Sequence, residues 1–146
     1  MTFSRRSRVL GRVAAVSFGL ALGAQVGIGA AASAPGLSVT PSTGLSHGQA
    51  VTVSVSGFPA NAVVWVSECA EPTAGHVVCD IPGISQITAD GGGAGSTTLT
   101  AWQKYTAYSE PGVVWGTVDC ATVSGGCFVA AATDSSPMIK QAISFG

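Results

Sequence analysis

This 146-residue chain has few charged residues, and its positive charges are concentrated at one end. Charged side chains make up 9% of the sequence, with six Lys and Arg against seven Asp and Glu. Four of the six cations are arginines within the first twelve residues, so the remainder has only Lys104 and Lys140 against all seven carboxylates, a net charge of −5. Because phosphate contacts need clustered Lys and Arg, the composition of this remainder excludes a nucleic-acid-binding surface on it.

Residue types that carry catalysis are also scarce. The chain has two histidines, no His-Glu-x-x-His zinc motif and no glycine-rich phosphate loop that opens a helix. His47 lies in a polar turn, and His76 lies between two cysteines, so both are expected to be solvated. Glu68 and Glu71 flank a cysteine, and such a pair is usually solvated too. We therefore expect no catalytic residue, no metal and no enzyme.

The first 33 residues have the pattern of a secretion signal. The four arginines form a basic head, residues 13–32 are almost entirely apolar or small, and Ala31-Ala32-Ser33 offers a cleavage site. The alternative is a membrane anchor, because the apolar run is nearly long enough to span a bilayer. The Gly and Ala content of this run and the small residues at its end favour a cleaved signal over an anchor. We expect residues 34–146 to form a secreted domain that makes no membrane contact once the signal is removed.

No convincing helix pattern follows the signal, because Gly and Pro recur every few residues and β-branched residues fill the gaps. Val51, Val53 and Val55 alternate with Thr and Ser, which predicts one buried face and one hydroxyl face. The predicted strands are residues 37–40, 51–56, 63–69, 76–79, 84–89, 96–105, 127–132 and 141–145, with a further strand opening the segment 113–127. Eight or nine such strands predict a two-sheet Greek-key sandwich.

The orientation of the most apolar strand, residues 63–69, is open. Trp65 has the opposite parity to Val64 and Val66, so the ring and the valines face opposite sides of the sheet. Either Trp65 fills the core, or the valines fill it and Trp65 faces a ligand or solvent. The chain also has more rings than one small core requires, although Trp115, beside a glycine, is expected to be structural. These rings are Trp65, Trp102, Tyr105, Tyr108, Trp115 and Phe128.

Four cysteines in an exported chain predict two disulfides. A zinc site is excluded by spacing, because the chain has no Cys-x-x-Cys pair and no histidine at zinc-finger distance. Four cysteines permit three pairings. The sequential pairing, Cys69 with Cys79 and Cys120 with Cys127, fits the two hairpin-like turns best.

Several short segments of residues 34–146 resemble the neocarzinostatin family. They are Ala34-Pro35-Gly36, Val39-Thr40-Pro41-Ser42-Thr43-Gly44-Leu45-Ser46, Glu68-Cys69-Ala70, Thr88-Ala89-Asp90, Trp115-Gly116-Thr117-Val118-Asp119-Cys120 and Ala142-Ile143-Ser144-Phe145. The match extends over essentially the whole domain and includes both cysteine spacings. The resemblance implies an all-β, immunoglobulin-like, seven-stranded Greek-key sandwich or barrel with a small disulfide-stapled ribbon. It also implies the sequential disulfide pairing.

The resemblance implies a function as well. Members of this family are secreted antibiotic apoproteins that hold a labile enediyne chromophore non-covalently in a cleft, and the released chromophore damages DNA. For this chain it implies a hydrophobic small molecule as partner, no covalent cofactor, and DNA contact only through the released chromophore. We expect the protein to be a monomer.

The resemblance also implies where the ligand binds. The Cys69–Cys79 bridge matches part of the cleft floor, and the residues just after Cys127 match the opposite wall. Glu71 lies where neocarzinostatin itself has a tryptophan, and Trp102 and Lys140 also depart from the family pattern. The full set of candidate ligand-binding residues is Trp65, Cys69, Glu71, Val77, Cys79, Ile84, Tyr108, Phe128 and Ala132.

Two other functions are open to a small stapled sandwich. One is a secreted immunoglobulin-like module that binds another apolar small molecule or an extracellular partner. The other is a secreted hydrolase, for which the sequence offers no residues that would carry the reaction.

Overall fold

The part of the chain that the structure describes, residues 33–146 of a computed structural model, is built from strands and turns. Nearly all of the predicted signal, residues 1–32, lies outside the described residues. Among residues 33–146, no helix is long and apolar enough to cross a membrane. The strands are β1 (Gly36–Thr40), β2 (Gln49–Ser56), β3 (Val63–Thr73), β4 (His76–Cys79), β5 (Ser85–Thr88), β6 (Gly95–Ala101), β7 (Lys104–Ser109), β8 (Val113–Asp119), β9 (Cys127–Thr133) and β10 (Ser136–Ile143).

These strands form two antiparallel sheets. The smaller sheet has three strands in the order β1-β2-β6, and the larger has seven, in the order β10-β9-β3-β4-β7-β8, with β5 paired to the first half of β3. The prediction of an all-β, two-sheet fold is confirmed. The described chain has ten strands rather than the expected eight or nine, because the predicted strand at 96–105 is divided into β6 and β7.

The core lies between the two sheets and is filled by alternate residues of their facing strands. Val51, Val53 and Val55 of β2 are buried, as their alternation with Thr and Ser predicts. Val66 and Val129 supply the other side from β3 and β9. The outward side of the small sheet carries hydroxyl groups in cross-strand rows, which are Ser38–Ser54–Ser96 and Thr40–Thr52–Thr98.

The predicted strand at 96–105 is wrong, because the chain leaves the sheet at Trp102 and Gln103. The Trp102 N–H donates to the Glu68 carboxylate at 2.7 Å. The Gln103 carbonyl accepts from the Cys120 N–H at 2.8 Å. Both backbone groups are thus satisfied outside a regular strand ladder, so β6 ends and β7 begins here. Two other strands run further than predicted, since β3 continues to Thr73 and β10 begins at Ser136.

The sequential disulfide pairing is confirmed. Cys69 and Cys79 are cross-strand partners on β3 and β4, so their bridge ties the two strands of a ribbon. Cys120 and Cys127 join the end of β8 to the start of β9 across a short loop. That loop turns through Gly125 and Gly126, whose φ angles of 76° and 69° lie in the left-handed region that glycine adopts without strain.

Glu68 is buried, contrary to the expectation of a solvated pair with Glu71. Its side chain is 1% exposed and lies on the core side of β3. Burial, opposed by the Trp102 N–H and reinforced by the nearby Asp80 carboxylate, raises the pKa of Glu68 to about 8. Burial and the carboxyl of Glu68 also raise the pKa of Tyr105 above its usual range. Glu68 is therefore largely neutral at pH 7.

The neutral form of Glu68 has a role in the contacts around it. Its Oε1 lies 3.5 Å from the Cys120 sulfur. A disulfide sulfur has no proton to give, so this contact becomes a hydrogen bond only when the carboxyl is protonated and donates to sulfur. The other oxygen meanwhile accepts from Trp102. Glu68 thus connects β3, the β6–β7 turn and the second disulfide.

We expect this buried carboxyl to make stability fall as pH rises. The pKa is about 8 in the folded protein against 4.5 for the free side chain, so the folded state holds the proton more tightly. The stabilisation is complete below pH 4.5 and is lost as pH rises through 8. In Glu68→Gln, the free energy of unfolding measured with urea between pH 5 and 8.5 should depend much less on pH.

The exposed carboxyl of Glu110 supplies the control. Glu110→Gln should leave the pH dependence as it is in the unmodified protein, since this side chain is exposed to solvent. Equal pH profiles for Glu68→Gln and the unmodified protein would contradict the assignment.

Candidate functional site

The larger sheet has a second face that points away from the core, and alternate residues of β3 and β9 form it. Directly paired residues of antiparallel strands lie on the same face. The outward pairs are Trp65–Ala132, Ser67–Ala130 and Cys69–Phe128. Lys140 and Ala142 of β10 pair with Ala130 and Phe128 and extend the same face. We call this surface the outer face.

Part of the outer face is apolar and buried, although it lies on the opposite side of the sheet from the core. Cys69, Phe128 and Ala130 form a cluster separate from the main one, and Val77 and Cys79 pack against it. Phe128 is only 6% exposed. We call these five residues the floor cluster. It brings together four of the predicted ligand-binding residues.

The orientation of Trp65 follows directly from the structure. Val64 and Val66 are buried in the core, whereas Trp65 is 41% exposed on the outer face. The second of the two alternatives is therefore correct. Trp115 is likewise 42% exposed on β8, contrary to its expected structural role. Among the surplus rings only Tyr105 and Phe128 are buried.

A depression of about 280 Å³ opens beside the floor cluster. Phe128 and Lys140 form one side of it, the β3–β4 turn with Glu71 forms another, and the loop of residues 124–126 forms the third. Tyr108 lies next to the floor cluster, because it is the β7 residue that pairs with Cys79 of β4. The structure thus places Glu71 and Phe128 in the walls of one depression.

The charged groups of this depression contact one another. The Lys140 ammonium lies 3.3 Å from Oε2 of Glu71 and 4.9 Å from the centre of the Phe128 ring. Oε1 of Glu71 accepts the Gly75 N–H at 2.6 Å. This backbone bond, followed by the Lys140 ammonium, lowers the pKa of Glu71. Glu71 is therefore a fixed anion at neutral pH.

Ile84 lies elsewhere. It lines a second depression of about 490 Å³, with Asp80, Thr100 and Trp102 among its walls. The two depressions share no lining residue, so the structure does not bring Ile84 together with Glu71 and Phe128. A ligand contact by Ile84 stays a prediction, as it does for the other candidates.

Four outer-face residues were missing from the predicted set: Ser67, Ala130, Lys140 and Ala142. The signal that could have found the first two is parity, since positions 67 and 130 lie between predicted positions of the same strands at a spacing of two. The Ser67 hydroxyl donates a hydrogen bond to the Asp80 carbonyl at 2.9 Å, which fixes the β4–β5 connection against β3. Lys140 carries no such signal, because its neighbours come from distant segments.

Two arrangements that suggest catalysis or metal binding do not have the required chemistry. Residues 44–48, Gly-Leu-Ser-His-Gly, have the Gly-x-Ser-x-Gly spacing of a hydrolase elbow but form a turn between β1 and β2, and no helix follows them in residues 33–146. His47 packs edge-on against Trp102, with ring centres 5.1 Å apart. Glu68 lies near Cys120 and Cys127, but their sulfurs are bonded to each other and are not available as thiolate ligands.

Comparison with known proteins gives matches over the whole described fold. Residues 37–145 match the Neocarzinostatin family. The antitumor antibiotic C-1027 apoprotein of Streptomyces globisporus is 38% identical over 143 residues, which are 98% of this chain and 96% of that protein. Macromomycin of Streptomyces macromomyceticus is 40% identical over 113 residues, 77% of each chain. A solved macromomycin structure superposes with a TM-score of 0.73 at 38% identity, covering 77% of this chain and all of that one.

The two faces of β3 make a direct prediction about stability. Val64→Ala should lower the free energy of unfolding by about 2 kcal/mol, because it removes buried methyl groups and leaves a cavity. Trp65→Ala removes a much larger side chain but should cost about 1 kcal/mol or less, because the ring is partly solvated. Urea unfolding of the two variants measures both. The reverse order would mean that Trp65, not the valines, supplies the core.

Proposed function

This chain belongs to the neocarzinostatin family, as its sequence segments predict, and we propose that it carries a hydrophobic chromophore of the enediyne type on its outer face. Binding is non-covalent, and the protein itself is not an enzyme. The released chromophore, rather than the polypeptide, damages DNA. The candidate contacts are the floor cluster, with Trp65, Glu71, Tyr108 and Ala132 around it.

The observation that carries this proposal is the floor cluster itself. Cys69, Phe128 and Ala130 are apolar side chains on the face of a sheet that does not contribute to the core. A half-buried antiparallel sheet normally alternates apolar and polar residues. An apolar ligand that settles against these side chains would gain the free energy of removing its own apolar surface from water.

Burial also supplies the protective mechanism. A chromophore held against the floor cluster would be shielded on that side from water and from thiols, which slows its premature activation. The disulfide Cys69–Cys79 keeps β3 and β4 at a constant separation beneath it. The rigid sheet, rather than a mobile loop, thus holds the apolar part of the site.

The charges of residues 33–146 support an indirect route to DNA. The two lysines of this range are each paired with a carboxylate, Lys104 with Asp119 at 3.1 Å and Lys140 with Glu71 at 3.3 Å. The described surface therefore lacks the clustered cations that phosphate binding needs. Any contact with DNA is therefore made by the released chromophore.

We propose further that the protein is secreted as residues 34–146. The whole solved macromomycin chain corresponds to 77% of this chain, which supports a domain of this size after the signal. The matched relatives named above come from Streptomyces. A monomer accords with the small size of the domain.

Native mass spectrometry of the secreted protein, purified in the dark from its own host, tests the carrier function. We expect a mass above that of the polypeptide with two disulfides, and we expect the excess to disappear on denaturation because the ligand is not covalently bound. The native mass also reports the oligomeric state and the position of the signal cleavage.

A bare polypeptide mass, combined with failure of the protein to bind any added enediyne chromophore, would contradict the proposal. The search would then turn to another apolar ligand or an extracellular partner for the same fold. An excess mass that survives denaturation would contradict non-covalent binding.

A further inference from the structure

Lys140 lies on the outer face and extends across the floor cluster. It is opposite Ala130 in the pairing of β10 with β9. Its side chain is 54% exposed, yet its ammonium lies 4.9 Å from the centre of the Phe128 ring and 3.3 Å from the Glu71 carboxylate. The ammonium is thus placed between an aromatic face and an anion, the two groups that attract a cation most strongly.

Glu71 does not depend on Lys140 for its position. The Gly75 N–H, in the turn that follows β3, donates to Oε1 at 2.6 Å. The lysine contacts the other oxygen, Oε2. If the ammonium moved away, the carboxylate would remain in the depression that Phe128 also lines. The anion is therefore preformed, while the cation is at the end of a long and flexible side chain.

Lys140 also covers the ring that a ligand would need to reach. Phe128 belongs to the floor cluster and has little free surface. The depression that the lysine borders is lined on its other sides by Glu71 and the glycine loop 125–126. A ligand that settles on Phe128 must displace the ammonium.

We propose that the Phe128 ring and the Glu71 carboxylate form a subsite for a protonated amine, which Lys140 occupies in the free protein. This inference deepens the proposed carrier function and rests on it. The ligand class that fits has an apolar body for the floor cluster and a primary or secondary ammonium for the subsite. A ligand ammonium replaces that of Lys140 and keeps Glu71 neutralised at close range.

An anionic ligand fits less well. Its only positive partner in the depression is Lys140, which is already bound to Glu71 at 3.3 Å. An anion would therefore lie close to the Glu71 carboxylate and be repelled by it. A neutral ligand would displace the lysine from the ring without replacing its charge.

Three naphthalene probes of matched size test the subsite: 1-naphthylmethylammonium, 1-naphthylmethanol and 1-naphthoate. Their affinities are measured by NMR titration of the secreted protein after removal of any bound ligand. We expect the ammonium to bind about two- to fivefold more tightly than the alcohol. The carboxylate should bind most weakly.

Variants of Glu71 and Lys140 test whether these two groups cause the difference in affinity between the probes. Glu71→Gln should reduce the ammonium-to-alcohol affinity ratio at least by half, because the ring remains but the anion is lost. Lys140→Ala should raise the affinity for the ammonium, because the internal competitor is gone. Lys104→Ala is the matched control. It breaks the similarly exposed ion pair with Asp119 and should change neither affinity.

The outcomes separate this inference from the carrier function. If the alcohol binds but the three probes have equal affinities, or if Glu71→Gln leaves the ratio unchanged, the amine subsite is overturned and the carrier function stands. Tighter binding of naphthoate that Lys140→Ala abolishes would overturn it as well, since Lys140 would then be the recognition group. If none of the probes binds, the amine subsite is overturned, and the native mass of the secreted protein decides the carrier function separately.

Discussion

The pairing of β3 with β9 puts apolar side chains on both faces of one sheet, and the core and the candidate site both depend on it. Val66 and Val129 face inward, while Cys69, Phe128 and Ala130 face outward from the same two strands. Because side chains alternate along a strand, neither set can move without moving the other. The rigidity of the core is thus passed to the floor cluster on the opposite side of the sheet.

Features set by neighbouring residues could be predicted from the sequence. The alternation of Val51, Val53 and Val55 with hydroxyl residues gave the inner face of β2, and the short spacing between cysteines gave both disulfides. The family resemblance then supplied most of the candidate site. For Trp65, the parity of its position alone could not predict whether the ring faces the core or solvent. It says that the ring and the valines face opposite sides, but Trp65, Val64 and Val66 are all apolar, so hydrophobicity cannot decide between them.

Features set by distant residues could not be predicted in this way. Glu68 meets the Trp102 N–H 34 positions away, and this contact joins a buried carboxyl of β3 to the backbone just after β6 ends. Lys140 meets Glu71 across 69 positions, a pairing that exists only because β10 and the β3–β4 turn converge beside Phe128. Local propensity contains no information on such contacts, and the departures from the family pattern at Glu71 and Lys140 left the resemblance silent on them.

The hydroxyl rows of the small sheet have a consequence for how this protein behaves in solution. Ser and Thr, rather than Lys and Glu, hydrate its outward side, as in the row Thr40–Thr52–Thr98. Hydroxyl groups bind water equally at any pH at which the fold survives, and salt does not screen them as it screens charges. Colloidal stability on this side therefore does not come from electrostatic repulsion, and the protein should resist precipitation even near its isoelectric point, where charge-stabilised proteins tend to associate.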